Sequence, residues 1–362
     1  MPAPDPIDTD AVIALLQAGL HETEIDGEKR PPAFPGAVWA VGDADAITAR
    51  GELGVLDPTQ PDVPMERDTL FDLASITKII AVWALIGHLR DLHALTLDDR
   101  LEMHLPETVG NPHGQVTVRQ LLTHTAGVPA RASLFPLYQT DDPDEIRRRV
   151  LQEDLEHQPG TKVVYTDRAA LILGYLAEEL TGLPHQLDVA ATDLIWHPLG
   201  MKRARFGPLD DWAVARCAPT ELDPETGKHV RGSAHDYSAR LLGGVCGVAG
   251  AFAPIGSLTL FAQHMLAPER VPGVFSANWV SHSLQVHTGE MITPPRGLFW
   301  HIAPGTSPAE DVWVHYGFTG GALWISPSRG RWASLMTNGL YYGRRRPELT
   351  AVRDAFRALA FA

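Results

Sequence analysis

Apolar residues follow two different spacings along the chain. Near the N-terminus, the apolar positions between residues 10 and 20 repeat with the period of a helix. Two short apolar runs, residues 37–42 and 46–54, follow a proline-rich break and are separated by polar residues and glycine, which predicts a β-hairpin. A longer stripe between residues 79 and 89 has the spacing of one helix face and predicts a long, mostly buried helix.

Helical patterns dominate the middle of the chain, and strand-like patterns return at its end. The pattern predicts helices at residues 118–122, 144–155, 168–180 and 257–265, strands at 311–315, 322–326 and 332–337, and a final helix at 347–361. Strands at both ends of a helical middle predict one α/β (α+β) unit over residues 1–362, with one sheet completed by both ends. We expect residues 31–95 and 290–362 to form the sheet region and residues 96–289 a mainly helical lobe.

The charge balance narrows the possible partners. The 362 residues include 30 Lys and Arg against 44 Asp and Glu, a formal net charge of −14. Nucleic acids and anionic membrane surfaces need a basic footprint, so we expect neither as a partner. The N-terminal residues lack the basic and apolar regions of a secretory signal, and no apolar run is long enough to cross a bilayer. The sequence therefore predicts a soluble, cytoplasmic protein, and it defines no oligomeric state.

Cysteine and histidine usage does not indicate a metal centre. Cys217 and Cys246 are too few for a disulfide framework and lack the paired spacing of a zinc site, so we expect reduced thiols. The 16 histidines form no His-Glu-x-x-His motif or similar cluster. The glycine-rich stretch at residues 243–250 does not match the dinucleotide-binding motif. We therefore expect no metal and no cofactor.

The tetrapeptide Ser75-Ile-Thr-Lys78 stands at the head of the long apolar helix. Positions i and i+3 share one helix face, so the amine of Lys78 can reach the hydroxyl of Ser75. A serine becomes a good nucleophile when a base removes its proton, and a lysine can act as that base if burial leaves it partly neutral. The alternative interpretation is an N-capping serine followed by a solvated lysine.

Two further motifs follow in a recognisable order. Tyr165-Thr-Asp167 precedes a helical run, and His315-Tyr-Gly317 lies on a strand-like segment. With Ser-x-x-Lys before them, the chain resembles the serine β-lactamase and penicillin-binding-protein superfamily. Within it, the chain is similar to the class C β-lactamase-like branch, which includes class C β-lactamases, D-alanyl-D-alanine carboxypeptidases and esterases. Further landmarks such as Phe34-Pro-Gly-Ala and Leu122-Thr-His-Thr-Ala-Gly extend the resemblance from about residue 34 to 340.

The resemblance implies an antiparallel sheet flanked by helices, a helical lobe, and an active site in the cleft between them. It implies that Ser75 is acylated, that Lys78 shares its proton, and that Tyr165 acts as general acid or base. His315 would occupy the place where many relatives carry lysine, and the backbone amides of Ser75 and Phe318 would form the oxyanion hole. The implied reaction is hydrolysis of an ester, amide or β-lactam carbonyl through an acyl-enzyme.

The same residues also have purely structural interpretations. Tyr165 could be a buried tyrosine with a satisfied hydroxyl, and His315 a cross-strand packing residue. Gly317 fits a strand that lines the cleft, because a missing side chain would let substrate approach the backbone. At the level of the whole protein, the alternatives are a D-alanyl-D-alanine carboxypeptidase or penicillin-binding protein and a catalytically silent binding protein of the same fold.

Two departures from the family pattern bear on the substrate. Asp167 stands where many relatives carry asparagine, and an ionised carboxylate can only accept hydrogen bonds; it could instead cap the helix that begins near Arg168. Histidine at position 315 reduces the fixed positive charge of the cleft at neutral pH. Both changes weaken recognition of a substrate carboxylate, so we expect an esterase rather than a carboxypeptidase. The opposing possibility is that Arg331 or the run Arg344–Arg346 supplies the missing charge.

Two other histidines have structural interpretations. The segment Gly232-Ser-Ala-His235-Asp236 resembles a landmark of a subgroup with D-alanyl-D-alanine carboxypeptidases, although Ser238 and Val248 replace the asparagine and histidine of its relatives. We interpret the His235–Asp236 pair as a structural hydrogen bond that closes a loop rather than as a catalytic base. We expect His124 to order the turn that follows a helix.

Overall fold

The computed structural model describes residues 6–25, 27–130, 134–289, 292–344 and 347–362. Within these ranges, no helix is long and apolar enough to cross a membrane. Arg345 and Arg346, two of the arginines considered above, lie outside the described residues.

A six-stranded antiparallel sheet with the order β4-β3-β11-β10-β9-β8 organises the molecule. Its strands are β3 (Gly36–Gly42), β4 (Ile47–Gly54), β8 (His301–Ile302), β9 (Trp313–Tyr316), β10 (Ala322–Ser326) and β11 (Arg331–Thr337). Because β3 pairs with β11, the two ends of the chain complete one sheet, as the sequence pattern predicts. The predicted hairpin is the antiparallel pair β3–β4.

Helices cover both faces of this sheet. The terminal helices α1 (Thr9–Gly19) and α12 (Pro347–Ala360) pack against one face, around Trp39, Trp324 and Phe356. On the other face, α2 (Ala84–Asp91) and α10 (Ile255–Leu266) share the larger hydrophobic core with the helical region. The central strands are therefore buried on both sides, which explains why they are almost continuously apolar.

The remaining elements lie mostly between β4 and β8 in sequence. The helices are α3 (Val118–Leu122), α4 (Leu134–Tyr138), α5 (Pro143–Val150), α6 (Asp167–Thr181), α7 (Leu187–Ala191), α8 (Asp211–Val214), α9 (Tyr237–Leu241) and α11 (Ala277–Ser283). The short strands are β1 (Thr23–Ile25), β2 (Glu28–Arg30), β5 (Phe71–Asp72), β6 (Arg205–Phe206) and β7 (Ala251–Ala253). The pairs β5–β7 and β7–β6 form a small second sheet that the sequence pattern does not predict.

Most of the predicted helices are present with small shifts of their ends. The predicted helix at 144–155 is shorter and ends at Val150. The apolar stripe at 79–89 is helical, but its first part, Lys78–Trp83, is a π-helix that continues into α2. The proposed division into a sheet region and a helical lobe at residues 95/96 and 289/290 stays a prediction.

Candidate active site

Ser75 lies in a tight turn between β5 and the π-helix. The preceding residue, Ala74, has φ = +45°, a conformation that is costly for a residue with a Cβ atom. The buried carboxylate of Asp72 holds the turn, because it accepts hydrogen bonds from the backbone N–H of Ala74 (2.8 Å) and of His235 (2.6 Å). The turn leaves Ser75 half-buried and facing a cleft of about 240 Å³.

Lys78 directs its amine at Ser75 from inside the protein. Its side chain has no exposed surface, and its Nζ donates hydrogen bonds to Ser75 Oγ (2.8 Å), Asp167 Oδ1 (3.0 Å) and the Val248 carbonyl (2.9 Å). An ammonium has three N–H donors, so these three acceptors use all of them. The arrangement excludes the solvated lysine of the structural interpretation.

The ion pair with Asp167 bears on the charge of Lys78. Burial by itself lowers the pKa of this amine, but the nearby Asp167 carboxylate and Tyr165 oxygen outweigh burial and raise the pKa above its ordinary value. These contacts favour the ammonium form of Lys78 at neutral pH. The sequence alone does not show that Asp167 is the partner of Lys78.

Tyr165 completes the contacts of the serine oxygen. Its hydroxyl donates to Ser75 Oγ at 2.9 Å, and 41% of the residue is exposed to the cleft and solvent. The Lys78 Nζ lies 5.4 Å from the centre of the Tyr165 ring. The His124 ring packs against the Tyr165 ring, with 4.7 Å between the two ring centres. The structural interpretation requires a buried tyrosine. Tyr165 is instead partly exposed, and its hydroxyl contacts Ser75 directly.

Asp167 is the first residue of α6 rather than its cap. The cap is Thr166, whose hydroxyl accepts a hydrogen bond from the Arg168 backbone N–H at 3.1 Å. The Asp167 carboxylate instead pairs with Lys78, and 14% of its side chain is exposed. The expectation that Asp167 caps the helix is therefore wrong, because the preceding threonine performs that role.

Gly317 lies where β9 reaches the turn that carries Ser75. A Cβ atom at this position would lie 2.6 Å from the carbonyl oxygen of Leu73, two residues before Ser75. The close approach of two backbone segments therefore requires glycine here. Gly317 also lines the cleft, and its role in admitting substrate stays a prediction. The neighbouring Phe318 lines the cleft.

His315 lines the same cleft but is 3% exposed. Its Nδ1 bonds to the carbonyl oxygen of Phe299 at 2.8 Å, which assigns a proton to Nδ1 and leaves Nε2 as an acceptor in the neutral ring. Burial, followed by the charges of His301 and Lys78, holds the pKa of His315 well below its ordinary value. His315 therefore supplies no positive charge at neutral pH.

The cleft contains two arginines that sequence reasoning did not identify. Arg296 and Arg353 both line it. In the part of the chain that the structure describes, Arg296 forms no ion pair, and its buried Nε has no hydrogen-bond partner. Burial lowers the pKa of Arg296, yet a guanidinium stays charged at neutral pH. Arg296 follows two prolines in an irregular segment, so no periodic pattern indicated its position.

The arginines proposed from the sequence have other partners. Arg331 donates to the Ala360 carbonyl at 3.0 Å, beneath the C-terminal helix. Arg344 pairs with Glu221 at 2.7 Å, and Glu221 also bonds to His235 Nε2 at 2.7 Å. Asp236 caps α9. The His235 and Asp236 side chains therefore bond to Glu221 and to the start of α9, and the loop-closing hydrogen bond of the His235–Asp236 pair stays a prediction.

The structure shows two free cysteines and no candidate metal site among the described residues. Cys217 and Cys246 are buried and unpaired with each other, and burial raises the pKa of both thiols to about 12. Across the described ranges, no group of three or more His, Cys, Asp and Glu side chains could hold a metal ion.

Comparison with known proteins identifies relatives over most of the chain. The family model described as Beta-lactamase matches residues 25–357. A "Putative D-alanyl-D-alanine carboxypeptidase" of Escherichia coli (strain K12) is 31% identical over 294 residues, which cover 72% of this chain and 66% of that protein. The chain thus spans slightly less than two thirds of the length of this curated relative.

Solved structures share the fold at lower identity. A class C beta lactamase from Rhodobacter sphaeroides matches with a TM-score of 0.73 and 19% identity, covering 98% of this chain and 100% of that one. "EstCE1, a hydrolase with promiscuous acyltransferase activity" matches with a TM-score of 0.75 and 18% identity, covering 98% of both chains. These likenesses agree with the α/β architecture of an antiparallel sheet flanked by helices.

Proposed function

Since the chain belongs to the Beta-lactamase family of serine hydrolases, we propose that Ser75 forms an acyl-enzyme with its substrate and that neutral esters are the preferred substrates. One observation carries this proposal. Ser75 Oγ lies 2.8 Å from the Lys78 ammonium and 2.9 Å from the Tyr165 hydroxyl, at the edge of an open cleft. A nucleophile, a fixed cation and a proton-transfer group therefore meet at one oxygen atom.

The charge of Lys78 assigns the proton transfers in the proposed mechanism. Because Lys78 is held as an ammonium, the proposed proton transfer falls to the Tyr165 hydroxyl, which takes the Ser75 proton as Oγ attacks the carbonyl carbon and gives its own proton to the leaving-group oxygen. The leaving group departs as an alcohol, and the acyl group remains on Ser75. In the second half of the reaction, Tyr165 takes a proton from water as the water oxygen attacks the acyl carbon. Tyr165 gives a proton to Ser75 Oγ as the acyl–Oγ bond breaks, which releases the acid and restores Ser75.

The backbone amides of Ser75 and Phe318 would stabilise the oxyanion of both tetrahedral intermediates. Such donors act strongly because the folded backbone fixes their orientation before the reaction. Gly317 supports this arrangement, since it allows β9 to approach the Ser75 turn closely.

The preference for neutral esters follows from the charges around the serine. Asp167 can only accept hydrogen bonds, and His315 is neutral. The ion pair of Lys78 with Asp167 leaves little net charge next to Ser75. The structural neighbour EstCE1 is a hydrolase with promiscuous acyltransferase activity, which is consistent with acyl transfer from an ester in this fold.

Arg296 favours a second candidate, a D-alanyl-D-alanine carboxypeptidase. Its guanidinium lines the cleft and has no carboxylate partner among the described residues. A substrate carboxylate could fill that place, and several curated relatives carry the carboxypeptidase name.

Substrate comparison tests which candidate is right. We expect a higher kcat/KM for short-chain p-nitrophenyl esters than for a chromogenic cephalosporin or a D-Ala-D-Ala peptide. The reverse order would contradict the ester preference and support the second candidate. In that case Arg296→Gln should raise KM for the carboxylate-bearing substrate more than for the ester.

A covalent probe tests the nucleophile itself. We expect an active-site-directed fluorophosphonate to add one adduct to the wild type, measured by intact mass, and none to Ser75→Ala. Ser281→Ala, which changes an exposed serine, should still form the adduct. An unlabelled wild type would support a catalytically silent protein of the same fold.

A further inference from the structure

A second concave site lies away from the Ser75 cleft and shares no lining residue with it. This groove has a volume of about 500 Å³ and lies between the edge strand β4 and the start of α10. Its size is in the range of small-molecule sites. We call it the β4–α10 groove.

The groove exists because the helical layer stops before the edge of the sheet. Helix α10 packs on β3 and β11, whereas the side chains of β4 that share this face, Arg50 and Glu52, are exposed. The apolar floor of the groove is formed mainly by the partly exposed Ile47 of β4, beside Val38 and Ala40 of β3, which are each 1% exposed. Leu260 of α10, which is 37% exposed, forms part of the wall.

The rim of the groove is positively charged in an acidic protein. Arg50, Arg67, Lys202 and Arg203 line it together with one carboxylate, Asp68, although the whole chain has a net charge of −14. Arg203 pairs with Asp68 at 2.8 Å, and Arg67 lies 3.8 Å from Glu52.

Among the four cations of the rim, Arg50 and Lys202 are not engaged in an ion pair with the described residues and can therefore meet a ligand. Across the described residues neither forms an ion pair, and both are exposed. An anionic group that reached the rim would therefore find two cations without a competing carboxylate partner.

Space at the start of α10 also favours a ligand. A Cβ atom added at Gly256 would meet no other atom within 4 Å, so neither packing nor backbone conformation requires glycine at this helical position. Glycine costs helix stability relative to alanine. Its presence keeps this end of the groove open.

We propose that the β4–α10 groove binds a small amphiphilic carboxylate, with its alkyl chain on the apolar floor and its carboxylate between Arg50 and Lys202. Guanidinium groups match the two oxygens of a carboxylate, and burial of the chain supplies the hydrophobic part of the affinity. This site is separate from acyl transfer at Ser75, and it adds a non-catalytic ligand to the proposed function.

Binding of decanoate, measured by isothermal titration calorimetry below its micelle concentration, tests the proposal. We expect saturable binding of one decanoate per chain. The double variant Arg50→Gln/Lys202→Gln should bind about tenfold more weakly. The matched double variant Lys29→Gln/Lys228→Gln, which removes the same charge from exposed positions outside the groove, should bind like the wild type.

Further variants and ligands test whether decanoate binds in the groove itself. Gly256→Leu should weaken binding because it fills the open end, and Arg296→Gln should not, because Arg296 lies in the other cleft. Acetate and decyltrimethylammonium, which lack the chain and the negative charge respectively, should bind far more weakly than decanoate. The proposal would be overturned if decanoate did not bind, or if either analogue bound as tightly as decanoate. It would also be overturned if Arg296→Gln lost affinity and the groove variants did not.

Discussion

The ammonium of Lys78 is enclosed by protein on all sides, and its three acceptors determine what it can do. A buried amine without a counter-charge would lose its proton, whereas Asp167 at 3.0 Å keeps this one charged. In the proposed mechanism, Lys78 is therefore a fixed positive charge beside Ser75 and not the base. This assignment places the proton transfer on Tyr165, which is partly exposed and can meet substrate and water.

Replacing the partner of this buried charge should destabilise the fold. We expect Asp167→Asn to lower the free energy of unfolding by about 2–4 kcal/mol at pH 7, because the buried Lys78 must then either keep its charge without a counter-charge or give up its proton. A lysine whose folded pKa is raised contributes stability below its ordinary pKa of about 10.4, and that contribution is lost only as pH rises through the raised folded value. The wild-type contribution is thus fully present at pH 7, where urea unfolding of both proteins measures the difference.

The exposed carboxylate of Asp193 provides the control for this variant. Asp193 lies 3.8 Å from His197 with 64% of its side chain exposed, so Asp193→Asn should change stability by less than about 0.5 kcal/mol. Equal stability of Asp167→Asn and the wild type would contradict the role of Asp167 as the counter-charge.

Glu178 of α6 is a buried carboxylate that takes no part in the proposed chemistry. It is 5% exposed, its Oε2 has no hydrogen-bond partner, and burial raises its pKa to about 7. Because the folded pKa is raised, the folded state binds this proton more tightly than the unfolded state. Stability from this group is present below about pH 4.3 and is lost as pH rises through 7.

A neutral isostere at position 178 should remove that loss. We expect Glu178→Gln to raise the free energy of unfolding by about 1–3 kcal/mol at pH 8 and to leave it unchanged at pH 4. Denaturant unfolding at the two pH values measures the difference. As a control, Glu22→Gln changes an exposed carboxylate and should change stability by less than about 0.5 kcal/mol at either pH. A gain of the same size at both pH values would show that Glu178 is not charged at pH 8.

At the scale of elements, the active site depends on contacts between segments that apolar periodicity in the sequence does not predict. Helices α1, α6 and α12 are predictable because their apolar period extends over many residues, and the hairpin β3–β4 because two apolar runs flank a polar, glycine-containing turn. The strands β5, β6 and β7 contain two or three residues each, too few for a period, yet β5 leads into the Ser75 turn. The contact between Lys78 and Asp167 joins residues 89 apart in sequence, which no local pattern encodes.

The junction between β9 and the Ser75 turn leads to a prediction for Gly317. We expect Gly317→Ala to lower the free energy of unfolding by about 1–3 kcal/mol, because the added methyl group would press on the Leu73 carbonyl. The displaced turn should also lower kcat/KM for esters by about tenfold or more. Thermal unfolding and ester kinetics measure the two effects.

Gly289, a glycine with open space around it, provides the control for Gly317→Ala. A Cβ atom at Gly289 would meet nothing within 4 Å, so Gly289→Ala should leave stability and kinetics close to those of the wild type. Wild-type kinetics in Gly317→Ala would show that the close approach of β9 is not needed for activity.

At the scale of the whole molecule, the sequence motifs were sufficient to predict the family and the fold. The charged residues of the cleft could be identified only from the three-dimensional structure. Ser75, Lys78 and Tyr165 could be proposed together because the order of motifs resembles the family. Arg296 and Arg353 come from an irregular segment and from the C-terminal helix, and no spacing relates them to Ser75. Sequence reasoning therefore considered other arginines and did not identify these two.

The C-terminal helix joins the far end of the chain to the active site. Arg353 of α12 is 8% exposed and donates to the carbonyl oxygens of Gly317 (2.8 Å) and Gly321 (2.7 Å), which flank the turn carrying Phe318. Closing one sheet with both ends of the chain places α12 where it can hold this turn. The proposed oxyanion donor of Phe318 would therefore depend on a residue near the end of the chain.

Arg353→Met keeps much of the side-chain volume and removes both hydrogen bonds. We expect it to lower the free energy of unfolding by about 1–3 kcal/mol, because two buried carbonyls lose a charged donor and each keeps one backbone N–H. If the turn shifts, kcat for p-nitrophenyl esters should fall by about tenfold or more while KM changes less, because an oxyanion donor acts mainly in the transition state. Arg357→Met, one helical turn further along α12, removes the same charge without touching the turn and should retain kcat. A variant of Arg353 that loses stability but keeps wild-type kcat at a temperature where it is folded would show that α12 supports the fold and not the chemistry.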